Sequence, residues 1–470
     1  MEILALEAST ASAKAMLYHT DSQTFEVISQ EYSGLGDPNC RDADEIFRQT
    51  MAIGRQMAEG KQIDMISLGG TWHSLLVCDR EMRPLSPAYL WDYTGASHIC
   101  RSLRLDEAYT KEFYGRTGCM VNAIYPAFKI KWLLSRNDSF RSARFISLGD
   151  YFTYRMTGSL VSTLCLSSGS GLMNIHTRRY DSEILRELGI EEDQLSRLVD
   201  YNETFPLSKE AAEALGLPSG IPVIPTNADG GLNQVGVGAL EQGVATLSVG
   251  TSGAVRLTTD RPILPETPGT WCYLSPKAWL SGAATNGCCN CIDWARTRLF
   301  PPGVSYSEIE QGVTDPINTP VFLPFLFGER CPGWNDRRQG GFVNLLPSHN
   351  ASDMYLSVQE GVLFNLYHCY EILTKVSGVP SKIKISGGIL NSPKWLQMCA
   401  DIFDRTLTLD NVVQGSLLGG SVLAMELLGV IDDAANFHPE SAGTVEPNGT
   451  SSGLYLAKFE RYLECYHKNS

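Results

Sequence analysis

Residues 4–18 read LALEASTASAKAMLY, and residues 244–257 read VATLSVGTSGAVRL. In each, an apolar run enters, a cluster of small and hydroxyl residues interrupts it, and a second apolar run leaves. The interruptions are Ala8 to Ser12 and Gly250-Thr251-Ser252-Gly253. Apolar run, tight turn and apolar run is the pattern of a β-hairpin. Two matched hairpins about 240 residues apart predict two similar halves. The Gly-rich stretch GVGALEQG ends at Gly243, so the expected domains are 1–243 and 244–470.

The length of 470 residues fits this division, because one core of that size would be split into domains. No stretch reaches the ~18 uninterrupted apolar residues of a membrane span, and no basic lead with an apolar export segment opens the chain. A cytoplasmic protein without membrane association is the expectation. The 13 cysteines are scattered, as in a reducing compartment. Cys288, Cys289 and Cys291 have no second Cys or His pair at zinc spacing, so a metal there is disfavoured. With 38 basic against 52 acidic residues, the net charge is −14 and no Lys/Arg run occurs, which disfavours nucleic acid as a partner. Small metabolites remain.

Short β-rich runs alternate with longer amphipathic stretches, so the fold class is α/β. MISLGG (65–70) follows a helical pattern over 43–59, and KIKISGG (382–388) follows a long periodic segment, 353–377. After KIKISGG, Ser392 is suited to cap a helix and Pro393 to start it. Strand, Gly-Gly and capped helix is a place where backbone N–H groups can face an anion. GSLLGGSVLAMELLG (415–429) reads as a closely packing helix ended by Gly429.

Small residues at a turn let the backbone approach a phosphate, and Thr or Ser adds donors. One such turn is usually only a hairpin; two matched copies are consistent with a pair of loops facing one nucleotide. Neither is a Walker loop, and no Gly-x-Gly-x-x-Gly opens a helix after the first strand. Between the halves lies NADGGLNQVGVGAL (227–240), where Asp229 sits among glycines after an apolar strand. It reads either as an Asx-turn or helix cap, or as a carboxylate facing a cleft. Phosphorylating an alcohol takes one carboxylate for the hydroxyl proton and others near Mg²⁺. Asp229 suits the first task and Glu7 the second.

With these residues in place, the chain resembles the FGGY family of carbohydrate kinases along nearly its whole length. The matching segments, in order, are the opening loop, GGTWHSLLVCDREMRPLSPAYLW, NADGGLNQVGVG, LSVGTSGAVRL, PFLFGERCPGW, SGGILNSPKWLQMCADIF and GSLLGGSVLA. RTGCMVNAIYPAFKIKWL, GTSGAVR and FLPFLFGERCPGW are most similar to the gluconate kinase branch, with xylulose kinases next. The resemblance implies two actin-like, ribonuclease-H-like domains with a cleft between them, the first mainly for the sugar and the second mainly for ATP. It implies ATP- and Mg²⁺-dependent phosphorylation of a hydroxyl on a sugar acid or ketose, and by family habit a homodimer. Asp229 would be the general base, with Trp72 and His73 on the sugar side. Thr10, Gly250, Thr251 and Ser252 would cradle the phosphates; Gly387, Gly388 and Asn391 would line the adenosine pocket; Glu7 and Asp229 would lie by the metal. Glu329 and Arg330 are expected to form an ion pair.

The chain departs from the family pattern at several of these positions. Glu7 and Ser9 stand where the family usually has Asp and Gly, and Tyr93 and Gly95 stand where Asp and Arg are common. Gln339 replaces a customary Arg, and Cys288-Cys289 occupies a run usually rich in Asn and Gly. These changes define the rival reading, a catalytically silent sugar- or nucleotide-binding protein. An actin-like filament or chaperone ATPase is a weaker third reading, since it does not account for GTWHSLL.

Overall fold

The computed structural model describes residues 1–37 and 39–468. The opening stretch is a hairpin: β1 (Glu2–Ala8) pairs antiparallel with β2 (Ser12–His19), which pairs with β3 (Thr24–Glu31). The helix expected over 43–59 is α1 (Ala43–Ala58), capped by Asp42, whose side chain accepts from the Glu45 N–H. The chain then adds two strands parallel to β1. These are β4 (Met65–Gly70), beside β1, and β5 (Pro222–Ala228), beside β4. Helix α2 (Asp229–Gly236) leaves β5 directly.

The second half repeats the pattern. β6 (Val244–Val249) and β7 (Gly253–Thr259) form the second hairpin, and β8 (Trp279–Thr285) pairs with β7. After the 27-residue helix α3 (Ala351–Ser377), β9 (Lys382–Ser386) lies parallel to β6, and β10 (Leu407–Asp410) parallel to β9. The six-stranded sheet therefore contains the order β3-β2-β1-β4-β5, and the seven-stranded sheet β8-β7-β6-β9-β10. Each is third, second, first, fourth, fifth. Two mixed sheets of one topology, with helices between the parallel strands, make the α/β fold.

Helix α4 (Gly415–Leu427) ends as expected, with Gly429 in the left-handed region. It does not stay with the sheet of its own half. Leu417, Leu418, Val422 and Leu423 share a core with Ile3, Ala5, Ile224 and Leu232. Glycines permit this approach. A Cβ on Gly419 would overlap the carbonyl oxygen of Leu232, and one on Gly420 would lie 2.6 Å from the Ser67 hydroxyl. The C-terminal half thus covers one face of the N-terminal sheet, and α2 and α4 form the packed joint between them. Among the described residues no helix is long and apolar enough to cross a membrane.

Candidate active site

In sheets of this kind, ligand-facing loops leave the carboxyl ends of the parallel strands. Five such ends carry the candidate residues: β1 delivers Glu7 and Thr10, β4 Trp72 and His73, β5 Asp229, β6 Gly250 to Ser252, and β9 Gly387 and Gly388. These residues are scattered over about 380 positions of sequence, yet the topology sets them all at the carboxyl ends of the parallel strands of the two sheets.

Asp229 is the first residue of α2, and its carboxylate accepts the Gly230 N–H at 2.6 Å. Burial pushes its carboxyl up to about 6, and the negative charge of Glu7 adds to the rise. Arg256 and Lys14 oppose it. Both hairpins therefore bear on this carboxylate, Glu7 and Lys14 from the first and Arg256 from the second. Glu7 is buried and faces Lys14 across the hairpin, Nζ to Oε1 3.0 Å. Its other oxygen, Oε2, is buried without a hydrogen-bond partner.

Ser9 in the family's glycine position causes no backbone strain, because it takes no positive φ. The turn is closed instead by polar bonds. Ser9 N–H and Oγ–H both donate to the Ser12 carbonyl, at 3.1 and 2.8 Å. Thr10 Oγ1 accepts the indole N–H of Trp91 at 3.0 Å, which leaves its own hydroxyl hydrogen to donate.

Trp72 and His73 form a buried aromatic wall. Trp72 donates to the Cys165 carbonyl at 2.9 Å and packs against Tyr273 of the second half, centroids 5.2 Å apart. Gly230 makes room for it, since a Cβ there would enter the Trp72 ring. His73 Nδ1 donates to the Gly169 carbonyl at 2.6 Å, which leaves Nε2 as an acceptor. Burial, reinforced by the charge of Arg330, holds its pKa well below the ordinary histidine value, so the ring is neutral. The fully buried Lys129 fixes this segment by donating to the carbonyls of His73 and Leu90 at 2.7 and 2.6 Å; desolvation lowers its pKa to about 7.

Across the cleft, the Gly250 carbonyl accepts the Cys289 N–H at 2.8 Å, which seats the N-terminus of helix Cys289–Leu299 against the Gly250–Ser252 loop. Gly387 has φ 101° and passes so close to the Val249 carbonyl that a Cβ would overlap it. A Cβ on Gly388 would lie 3.0 Å from Cys289 Sγ. Asn391 ends the short turn Gly388–Asn391 on the surface, and Ser392 caps the helix that Pro393 begins, its hydroxyl accepting the Trp395 N–H at 3.3 Å. The structure thus brings the second-half candidates together as one exposed wall.

One expected pairing is corrected. Glu329 does not pair with Arg330. It binds Arg338 at 3.0 Å and accepts the Tyr466 hydroxyl at 2.6 Å in the interior, and accepts the Gly333 N–H at 3.0 Å. Adjacent residues in the chain point apart, and Arg338 arrives from nine positions on. Arg330 lies instead over the Trp91 ring, 5.8 Å from its centroid. Sequence reasoning also missed Lys14 and Arg256 as cleft residues. For Lys14 a signal existed, since hairpin register sets it opposite Glu7.

The N-terminal domain model of the FGGY family of carbohydrate kinases matches residues 3–236, and its C-terminal domain model matches residues 245–427. The chain belongs to the FGGY carbohydrate kinase family. The gluconokinase of Bacillus subtilis (strain 168) is 31% identical over 457 residues, covering 92% of this chain and 88% of that protein. The xylulose kinase of the same organism is 25% identical over 486 residues, covering 99% and 96%. The crystal structure of gluconate kinase from Lactobacillus acidophilus superposes with a TM-score of 0.94 at 27% identity, over 99% of this chain and 98% of that one. As an FGGY kinase, this protein transfers phosphate from ATP to an alcohol group of a sugar or sugar acid.

Proposed function

We propose that the cleft phosphorylates a hydroxyl of a sugar acid or ketose, gluconate-like or xylulose-like, with Asp229 as general base. The observation that supports this most directly is the placement of Asp229: a buried carboxylate at a strand end, beside Glu7, with its pKa raised to about 6. At neutral pH it is ionised yet basic enough to take a proton. The acceptor oxygen attacks the γ-phosphorus, its proton passes to Asp229, and the bond from phosphorus to the ADP leaving oxygen breaks. In this reading residues 1–243 bind mainly the acceptor, through Trp72 and His73, and residues 244–470 mainly the nucleotide. The neutral His73 offers Nε2 to a sugar hydroxyl. Thr10 donates to phosphate, as do the N–H groups around Gly250, Thr251 and Ser252. Gly387, Gly388 and Asn391 border the adenosine.

Among the described residues no three His, Cys, Asp or Glu groups converge into a closed metal site. The orphaned Glu7 Oε2 beside the Asp229 charge nevertheless fits Mg²⁺, which favours one or two carboxylates with water and substrate phosphates completing its shell. When bound, Mg²⁺ would neutralise charge on the transferring phosphoryl group. Lys14 holds Glu7 through Oε1 at 3.0 Å, which leaves Oε2 for this task.

The test is ADP release with ATP and Mg²⁺ against a panel of aldonates and ketoses. Stimulation by one acceptor class supports the reading. Binding of a panel member with no stimulated turnover would favour the silent protein.

A further inference from the structure

We propose that a cavity of about 570 Å³ between the two halves, apart from the Asp229 cleft, is a second binding site, for an uncharged polyol or free sugar. The first half contributes Cys165 and Tyr201, the second Thr259, Ser275 and Trp279, and Asn227, at the end of β5, completes the wall. The volume suits one small metabolite. None of Glu7, Thr10, Trp72, His73, Asp229 or the Gly250 to Ser252 loop lines it. The first turn of α2 separates the two spaces. A Cβ on Gly230 would enter the Trp72 ring of the acceptor wall, whereas one on Gly231 would lie 2.6 Å from Cys165 Sγ and 3.4 Å from Ser275 Cα.

The inner groups of this cavity call for hydrogen-bond donors. Asn227 is fully buried; its Nδ2 donates to the Pro225 carbonyl at 3.1 Å, and its Oδ1 has no partner. The hydroxyls of the wall have spent their hydrogens inside the protein. Tyr201 donates to Glu426 at 2.7 Å, Thr258 to the Ala239 carbonyl at 2.5 Å, Thr259 to the Arg261 carbonyl at 2.8 Å and Ser275 to the Ala278 carbonyl at 3.1 Å. The wall therefore offers lone pairs inward, and leaving a buried acceptor such as Asn227 Oδ1 unpaired is costly. The charges disfavour an anion. Lys277 is taken up by Glu426 and Asp433, both at 2.6 Å. Of the other lining charges, the carboxylates of Asp200 and Asp260 outnumber the guanidinium of Arg178, and none of the three makes an ion pair among the described residues. All three are exposed at the rim, so the interior holds no free charge, and a neutral hydroxyl costs less to bury there than an ammonium group. Asn202 and Gln242, also exposed on the rim, have side chains with no hydrogen bond among the described residues and can both donate to and accept from outer hydroxyls. Because both halves line the cavity, an occupant bridges them and stabilises their arrangement.

The experiment titrates the full-length protein calorimetrically with D-mannitol and, as its anionic counterpart, D-mannitol 1-phosphate, in the absence of nucleotide. Mannitol should bind with a dissociation constant on the order of 1 mM, as ligand efficiencies allow for a sugar-sized molecule, and the phosphate at least about tenfold more weakly. Asn202→Trp combined with Gln242→Trp closes the rim from exposed positions and should weaken mannitol at least about tenfold. Asn227→Leu removes the unpaired acceptor and should do the same, as for one lost hydrogen bond to a buried group, roughly tenfold. His73→Gln, in the acceptor wall of the cleft, should leave mannitol affinity within about twofold of wild type, less than a hydrogen bond is worth. No binding at about 20 mM mannitol, well above the expected constant, would overturn the proposal and leave a hydrated crevice. Equal or tighter binding of the phosphate would overturn it as well. So would unchanged affinity in the rim variant or in a folded Asn227→Leu protein, and a loss in His73→Gln that the rim variant does not share would place the polyol in the cleft instead. If Asn227→Leu does not fold, the rim variant decides.

Discussion

Asp229→Asn separates the catalytic from the energetic consequences of one buried carboxylate. Burial and the Glu7 charge lift its pKa from 3.8 to about 6. A rise of about 2, at 1.36 kcal/mol per pH unit, means that keeping Asp229 ionised costs the fold about 3 kcal/mol. The folded pKa lies above the unfolded one, so between pH 4 and 6 the unfolded chain binds fewer protons and wild-type stability falls as pH rises. Below pH 4 the group is protonated in both states and the penalty vanishes. Asparagine is nearly isosteric, can still accept the Gly230 N–H, and carries no charge. The variant should therefore match wild type near pH 4 and exceed it by about 3 kcal/mol above pH 6. For 470 residues unfolding together that is roughly 3 °C in melting temperature. Calorimetric scans from pH 4.5 to 8, without nucleotide or divalent ions, read the difference directly. Turnover should drop at least ~10²-fold, as for a removed general base. A melting difference that does not change with pH would refute the burial argument, and retained turnover would remove Asp229 from the mechanism.

Lys14→Met takes away a charge that lowers the pKa of Asp229, so the acid limb of the kcat/KM profile should move to higher pH; a profile from pH 5 to 8 checks this, and an unmoved limb counts against the coupling of Lys14 to Asp229. Gly419→Ala forces a methyl into the Leu232 carbonyl and should cost at least ~3 kcal/mol, seen as a lower melting temperature or loss of soluble protein. Gly429→Ala is its control, because no atom lies within 4 Å there and only the positive φ is strained, about 1 kcal/mol. Glu329→Gln removes the carboxylate that pairs with the buried Arg338 and should cost roughly 3–5 kcal/mol in denaturant titrations; a loss below about 1 kcal/mol would mean the pair contributes little.

Much of the site was legible because its elements are local. The two hairpins, the Gly387-Gly388 turn, the Ser392-Pro393 helix start and the turn at Asp229 each depend on a few consecutive residues whose φ/ψ preferences and capping chemistry act at short range. Repetition of the hairpin, together with the ordered family segments, was enough to indicate two halves of similar topology. Asp229 was less certain from its surroundings alone, since a carboxylate among glycines could equally cap a turn.

What the sequence could not decide was which distant groups meet. That Glu329 turns inward to Arg338 and Tyr466 while Arg330 lies over the Trp91 ring depends on burial and charge across nine and 137 positions. That α4 crosses to cover the first sheet depends on where glycines let two backbones touch. The raised pKa of Asp229 exists only once folding buries its carboxylate at the end of β5 beside Glu7 of β1, with Arg256 of β7 and Lys14 of β2 opposing the rise. The sequence by itself determined the hairpins, the turns and the family, because these rest on local backbone preference and on motif order. Only the tertiary structure decided the partners of each charge, because desolvation and Coulomb energy are set by three-dimensional surroundings, which neighbours in the chain do not specify.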